Sequence, residues 1–549
     1  MSRGLLGGNQ SGTQPFTPAT FTVPKSPEGA ATAISVLSAG LSSTGPERSH
    51  PDYRTHPPLV EFGADTHIPT RVRQLVPQTE IVIDVPARYT ELFVVAPLAY
   101  YLGATVRIGH DPPRLSAPGL SKTFGQLPDL KYEVAALLRR IFFLDCLVRD
   151  VPGEEPPYEQ SYLDTMGLDG TQLREATPTE RLRAYLSVKQ ATIMSHLPSW
   201  HLSTYVTPTA DMIPCLPFLL DDLSLIYPPD ADELDQSELL DRALDDFYRG
   251  EVDTVEIVSP KLQPADLHGW LADEVPADAF TPSLGAYRNR LGTPPVEQPL
   301  DITVVLNDSM MDGEYEAVAK LYDEYDQVTT RYRSVSVNEL AGIFEQTNDF
   351  VHFIGHCEKD GLQCPDGALD IQSLGSINTR TFFLNACGSY YQGKALVEQG
   401  AIAGGVTLRT VLNNPAIKVG TTFARLFVSG FGIERAMQLA RRQITMSTDY
   451  AVVGDGTYSL SDSTVGLARL KKTGNTYKLS YSVAANRHPG GSYTAPFELW
   501  PRLTGTQATT ELTEEDIPRV LKSLECPVIF DESLEWADDL ARQFLSSHE

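Results

Sequence analysis

Cysteine is scarce in this 549-residue chain: six residues, at 146, 215, 357, 364, 387 and 526, no two of which form a C-x-x-C pair. That scarcity excludes a disulfide-built scaffold and fits a reducing compartment, so a cytoplasmic protein is expected. No apolar run reaches the length of a membrane-spanning helix, since the most apolar stretch, 92–106, is short and interrupted by Pro97. The opening MSRGLLGGNQSG lacks the apolar core of an export signal. No helical repeat of about 34 residues is visible, which removes a tetratricopeptide array. Lysine is scarce as well, 13 against 31 Arg, and no long basic stretch occurs. A nucleic-acid backbone would meet an acidic average surface, so neither nucleic acid nor membrane is expected as a partner.

What the chain has in excess is acid. Asp and Glu total 71 against 44 Lys and Arg, for a formal charge of −27. This acid-rich, Lys-poor composition resembles that of proteins from salt-accumulating halophiles, in which concentrated salt screens the repulsion between surface carboxylates. Apolar residues at 42% and aromatics at 9% are ordinary globular values, and the length calls for several domains at roughly 150 residues each.

Residues 1–57 are rich in Ser, Thr, Pro and Gly and read as a flexible extension, ordered at most by packing on the rest. From residue 58 to 298 an α/β region is expected. EIVIDVPARY alternates like a strand, and LFVVAPLAYYLGATVRI reads as a helix running into a strand. Helical spacing marks LKYEVAALLRRIFFLDCLVRD, ERLRAYLSVKQATIMSHL and SELLDRALDDFYRG, and DTVEIVS is strand-like. Cys146 and Cys215 sit among large apolar neighbours, as packing thiols do. The Pro-containing run GTPPVEQP marks the boundary to a second unit, 299–452.

In that unit strands and helices alternate: LDITVVLND, EYEAVAKLYDEYDQ, TTRYRSVSV, NELAGIFEQT with Asn338 as N-cap, DFVHFIGH, TRTFFLNAC, AIAGGVTL, AIKVGTTFARLFVSG and GIERAMQLARRQ. Such alternation predicts a mostly parallel sheet with helices on both faces and a ligand site at the carboxyl ends of its strands. The segment YAVVGDGTYSLSDS is expected to lead away from this core. Residues 453–549 read as a small β-rich module, with strands TYKLSYSVAA and SYTAPFELW, closed by the amphipathic helices EEDIPRVLKSL and SLEWADDLARQFLSS.

Two strands end in residues suited to nucleophilic catalysis, His356 and, 31 residues later, Cys387. A thiol with a free pKa of about 8.5 is mostly protonated at neutral pH and needs an adjacent imidazole to activate it or to protonate a leaving amine. Gly388 permits a tight turn after the cysteine, where backbone N–H groups can face an oxyanion. His352 shares a strand face with His356 and reads either as a tuning residue or as a satisfied core histidine. The set His352, His356, Cys357, Cys364 and Cys387 has the side chains of a zinc site but no common zinc spacing. Asp360 and Asp366 belong to the turn-rich segment EKDGLQCPDGALD, a solvated acidic loop or one that gates substrate or is itself cleaved.

The ordered words HFIGH, LNACGS, AIAGGVTL, FARLFVSG and RAMQLAR, across residues 301–443, resemble the CHAT family of caspase-related, clan CD cysteine peptidases. The resemblance implies a caspase-like sheet over about 300–450, Cys387 as nucleophile and His356 as general acid/base. It also implies an oxyanion hole from the backbone amides of Cys387 and of Cys357, where the family usually has glycine. Relatives often carry an acidic residue that holds a basic side chain before the scissile bond. The matching stretch here, TLRTVLNNPA, offers Asn413 and Asn414 as substrate-binding residues, with Arg409 near a position often filled by Trp.

A cytoplasmic cysteine endopeptidase acting on protein substrates follows from the resemblance, needing no cofactor and controlled by its N-terminal region or by an activating partner protein. The alternatives are a catalytically weak caspase-like scaffold that binds a partner, and a hydrolase of non-peptide amides or esters using the same dyad. Residues 58–290 are also compatible with a second, inactive caspase-like unit.

Overall fold

The computed structural model of the chain describes residues 18–233, 255–409, 413–443, 449–461, 465–483 and 487–546. In the N-terminal half, residues 18–57 are not a loose extension. Thr20–Val23 pairs in parallel with Leu59–Phe62, and the helix Pro27–Leu37, capped by Ser26, buries Ala30, Ile34 and Leu37. Small residues at helical spacing, Ala30, Ala31 and Ala33, let this segment pack tightly despite its Ser/Pro-rich composition.

A four-stranded sheet follows, built from β1 (Val82–Val85), β2 (Thr105–Ile108), β3 (Arg114–Ala117) and β4 (Leu120–Thr123) in the order β2-β1-β3-β4. α1 (Tyr89–Leu102) packs on β1, and α2 (Asp129–Val148) packs on α1; both are apolar over most of their length and therefore buried. The expected helix over 180–197 is two helices, Pro178–Ser187 and Gln190–Met194, broken at Val188 and Lys189. The stretch SELLDRALDDFYRG lies outside the described residues. A second, three-stranded parallel sheet joins β5 (Leu202–Val206), β6 (Leu225–Tyr227) and β7 (Leu267–Leu271) in the order β7-β5-β6.

The larger sheet has six strands: β8 (Asp301–Leu306), β9 (Val328–Arg333), β10 (Asn348–Ile354), β11 (Thr379–Asn385), β12 (Ala403–Thr407) and β13 (Tyr450–Gly454). Their order is β9-β8-β10-β11-β12-β13, all parallel except the last. β13 corrects the expectation that YAVVG leads away: its five buried residues close the sheet against β12. Alternation along each strand divides the side chains between two cores. Val304, Phe350, Ile354 and Phe383 meet α3 (Asp312–Glu324), α6 (Asn413–Val428) and α7 (Ile433–Arg441), while Val351, Phe353, Phe382 and Leu384 meet α4 (Val337–Glu345) and α5 (Tyr390–Glu398). Each fully buried Phe or Leu contributes about 1.5–3 kcal/mol. The cap of α4 is Ser336, in a reciprocal capping box with Glu339, rather than Asn338, which lies one residue inside the helix.

The segment after His356 is a folded meander whose acids, Asp360 and Asp366, stay exposed to solvent. Cys357–Glu358, Gly361–Cys364 and Gly367–Leu369 make a three-stranded antiparallel meander, and Asp366 accepts the Val337 N–H at the start of α4. The last region is a five-stranded sheet of β14 (Gly466–Thr473), β15 (Thr476–Val483), β16 (Ala508–Leu512), β17 (Pro527–Phe530) and β18 (Ser533–Trp536), order β16-β15-β14-β17-β18, with α8 (Ala537–Ser546) on one side. Of SYTAPFELW only Ser492–Tyr493 is strand, because Pro496 removes a ladder donor. Among the described residues no helix is long and apolar enough to cross a membrane.

Candidate active site

Leu306, Ile354 and Asn385 occupy one register row across the adjacent parallel strands β8, β10 and β11. Asp308, His356 and Cys387 each lie two residues beyond that row, so the carboxylate, the imidazole and the thiol follow one another along the carboxyl edge of the sheet. His356 Nε2 is 3.2 Å from Asp308 Oδ2, and the imidazole side chain is 57% exposed while the carboxylate is 9% exposed. A buried carboxylate thus steadies an accessible imidazole. With Nε2–H given to the carboxylate, Nδ1 is left to take or deliver a proton. The second oxygen of Asp308 accepts the Met310 N–H at 2.9 Å, and the preceding Asn307 accepts the Val335 N–H at 2.9 Å and donates to the Gln363 carbonyl at 3.1 Å. The loop carrying Asp308 is therefore tied both to the end of β9 and to the meander.

Cys387 is partly exposed on the turn between β11 and α5. Gly388 takes φ +67°, a left-handed conformation that a side chain would strain, and its N–H donates to the Arg409 carbonyl at 3.3 Å. The fully buried Ser389 donates to the Leu384 carbonyl at 3.0 Å and accepts the Thr407 N–H at 3.1 Å, while the Thr407 hydroxyl donates to the Ala386 carbonyl. The turn that carries Cys387 is thereby held to β12 on both sides of the cysteine.

Beneath the edge lies a buried polar network. Asn385, two residues before Cys387, donates its amide to both oxygens of Glu314 at 2.9 and 2.8 Å and to the Ala416 carbonyl at 3.2 Å, and accepts from the Tyr450 hydroxyl at 3.2 Å. His352 joins Glu314 through Nε2 at 3.0 Å and the Tyr322 hydroxyl through Nδ1 at 3.0 Å. Glu314 and His352 are fully buried, so the network bolts the strands of His356 and Cys387 to α3 and β13 without water. Burial, and then the Glu314 carboxylate, hold the hydroxyls of Tyr322 and Tyr450 well above the ordinary tyrosine range, so both are hydrogen-bond donors. A Cβ on Gly420 of α6 would strike the Glu314 carboxylate, which explains a glycine at that point of a helix.

The remaining residues singled out from the sequence are placed as follows. Cys357 lies in extended backbone with no positive φ, and its side chain is buried in the core beside the meander, so a residue larger than glycine is accommodated there without backbone strain. Asn414 is exposed in the first turn of α6; the side chain of Asn413 lies outside the described residues. Burial pushes the thiols of Cys215 and Cys526 up to about 12 and that of Cys364 to about 11, and it raises Cys146 as well, which keeps these four protonated and unreactive near neutrality. Among the described residues no three His, Cys, Asp or Glu side chains gather as a metal site. Sequence reasoning missed Asp308, Glu314 and Asn385. The available signal was Asp308 as the polar residue ending the strand LDITVVLND, two positions past its last apolar residue, in the same relation to its strand as His356 to DFVHFIGH.

No family model matches this chain, and no curated protein matches it. Among solved structures it is similar to the Arg-specific cysteine proteinase gingipain R, at 12% identity and TM-score 0.29 over 39% of this chain and 61% of that one. It is similar to the complex of the pro- and mature domains of Porphyromonas gingivalis RgpB, at 10% identity and TM-score 0.29 over 46% and 77%. It is also similar to the Saccharomyces cerevisiae separase–securin complex, at 9% identity and TM-score 0.28 over 58% and 22%. The chain thus spans 61% of the gingipain chain and 22% of the separase chain.

Proposed function

We propose that this chain is a cytoplasmic cysteine endopeptidase of the caspase-like CHAT type, with Cys387 as nucleophile, His356 as general acid/base and Asp308 as the group that orients the imidazole. The observation that carries the reading is the common offset of Asp308, His356 and Cys387 beyond one register row of three neighbouring parallel strands. In this mechanism the Cys387 thiol passes its proton to His356 as its sulfur attacks the scissile carbonyl carbon, and the backbone amides of Cys387 and Cys357 receive the oxyanion. As the C–N bond breaks, His356 delivers its proton to the leaving amine, which departs and leaves a thioester. A water molecule then gives a proton back to His356 and attacks the thioester, releasing the carboxylic acid and the thiol. Asn413 and Asn414 at the start of α6 stand on the substrate side and select a side chain before the scissile bond. Residues 58–298 act as the regulatory region, alone or with an activating partner protein.

The test is labelling by an electrophilic peptide probe in high-salt buffer, mapped by mass spectrometry, on the parent chain and on the His356→Ala and Cys387→Ala variants. Selective labelling of Cys387 that falls in His356→Ala supports the dyad. Labelling of Cys387 no faster than that of Cys146 or Cys526 in every salt condition overturns it.

A further inference from the structure

Against an overall charge of −27, one face of the molecule gathers arginines that stand outside any ion pair among the described residues. Arg435 on α7, Arg442 just past the end of α7, and Arg469 on β14 line a cleft of about 470 Å³ whose other wall is residues 262–278 of the N-terminal half. Arg442 and Arg469 also line an adjoining cleft of about 780 Å³ together with Lys471 and the exposed Asp531 and Glu532, neither of which pairs with them, so the two spaces meet at this pair of guanidinium groups.

Neighbouring arginines show what is normal here. Arg441 in the same cleft is fully engaged: it pairs with Glu434 at 2.8 Å, lies 3.8 Å from Asp278 and donates to the Tyr450 carbonyl. Among the described residues Arg442 and Arg469 have no side-chain hydrogen bond and no carboxylate within ion-pair distance. Arg435 donates to Gln438 at 3.2 Å, but its Nε is buried with no partner. Asp266 lines the cleft and attracts Arg435 and Arg469 electrostatically, yet it stops short of an ion pair. Burial and the mutual repulsion of these guanidinium groups hold Arg435 and Arg469 below the ordinary arginine value. The negative end of the α7 dipole accounts for basic residues at 441 and 442. It does not account for Arg469, which comes from a different sheet, or for Arg435, a turn and a half earlier.

Guanidinium groups that converge on a concave space outside any ion pair are complementary to a compact, multiply charged anion, and the planar fork of arginine matches phosphate oxygens in pairs. A cleft of this size takes a phosphate chain but not a folded macromolecule. We propose that the junction lined by Arg435, Arg442 and Arg469 is a binding site for a small molecule carrying a di- or triphosphate group. Because its walls come from the N-terminal half, from α7 of the six-stranded sheet and from β14 of the C-terminal sheet, the bound anion bridges all three regions.

The experiment uses the full chain, calorimetric titration and thermal unfolding, with sodium tripolyphosphate and with ATP as separate probes and sodium chloride at equal ionic strength as control. Saturable one-to-one binding with a raised Tm is expected. In an Arg442→Gln/Arg469→Gln variant the affinity falls on the order of tenfold or more, since charged hydrogen bonds are lost, and the gain in Tm disappears. A control variant, Lys320→Gln/Arg519→Gln, removes two exposed charges elsewhere and leaves binding unchanged. Should the glutamine variant fail to fold, Arg442→Lys/Arg469→Lys keeps the charge, loses the fork and still binds more weakly than the parent. Equal binding of both probes assigns recognition to the phosphate chain, and tighter ATP binding adds a contact to the nucleoside. Heats reproduced by sodium chloride, or parent-like affinity in both the glutamine and the lysine variants, overturn the proposal. None of these readouts depends on peptidase activity.

Discussion

Asp145 and Glu314 are both fully buried carboxylates, one in the N-terminal half and one beneath the edge of the six-stranded sheet, and their surroundings differ in kind. Asp145 accepts from Arg48 at 2.9 Å and from the hydroxyls of Tyr101 and Tyr185 at 2.9 Å each, with Arg181 3.6 Å away. Two permanent cations and two phenols fix it as a rivet between distant segments of chain. Among the described residues Glu314 has no arginine partner; it is held by the imidazole of His352 and the amide of Asn385, which belong to the strands that end in His356 and Cys387. A buried charge held by fixed cations serves stability, whereas one held by neutral or titratable partners on converging strands serves the placement of what those strands carry.

Breaking the first of the two should have the largest effect on stability. Asp145→Asn leaves Arg48 and Arg181 buried without a counter-charge and is expected to cost about 3–5 kcal/mol in chemical denaturation, with labelling of Cys387 per folded molecule unchanged. Glu314→Gln keeps the volume but turns an amide donor towards the amide of Asn385, for about 1–3 kcal/mol. Unlike the first variant, it also slows Cys387 labelling, because the strands are no longer held in place. If the two variants affected stability and labelling in the same proportion, the distinction between rivet and positioning group would fail.

The pH dependence sharpens the same contrast. His201 just before β5, His268 in β7, and His488 against the N-terminal half are pushed by burial from 6.5 to about 3, 4 and 4. The folded state resists protonation that the unfolded chain accepts. Each histidine therefore contributes stability that is complete above pH 6.5 and is lost as the pH falls towards 4, by up to about 1.4 kcal/mol per pH unit. Burial pushes Asp222 and Glu434 up to about 7, which acts in the opposite direction over that window, so the clean measurement is a difference. Relative to the parent, His268→Gln should flatten the denaturation free energy between pH 6.5 and 4; an unchanged slope would show that His268 takes up its proton as readily as an exposed imidazole.

The smallest stability effect is expected for Asp308→Asn, within about 0.5 kcal/mol of the parent, because its amide can still cap the turn at Met310. Its consequence is chemical: labelling of Cys387 should fall on the order of 10- to 100-fold as the imidazole loses its anionic partner. Parent-like labelling with a parent-like pH profile would remove Asp308 from the site.

Much of this site can be read from the chain without its fold. HFIGH and LNACGS stand at the ends of buried strands, and the residue after the cysteine is the glycine its backbone conformation requires. The partners cannot be read that way. Asp308 precedes His356 by 48 residues and meets it only because β8 and β10 pair with Leu306 opposite Ile354. Glu314 looks like any acid in the first turn of an amphipathic helix until Gly420 makes room for it against the sheet. Cys357 needs no glycine-like freedom because its backbone is extended, which no single-residue rule predicts. YAVVG was misplaced because its apolar run is as suited to leaving the sheet as to closing it, and only pairing with β12 decides.

What the sequence alone determined is the local chemistry: alternating strands and helices, an acidic and cysteine-poor chain, and a thiol and an imidazole at strand ends, all set by residue type and by periodicity over a few positions. What only the tertiary structure decided is adjacency: the register that lines up Asp308, His356 and Cys387, the buried network that couples their strands, and the meeting of Arg435, Arg442 and Arg469. Adjacency of this kind depends on which distant surfaces bury one another, a choice made by the summed packing of the whole chain rather than by any one segment.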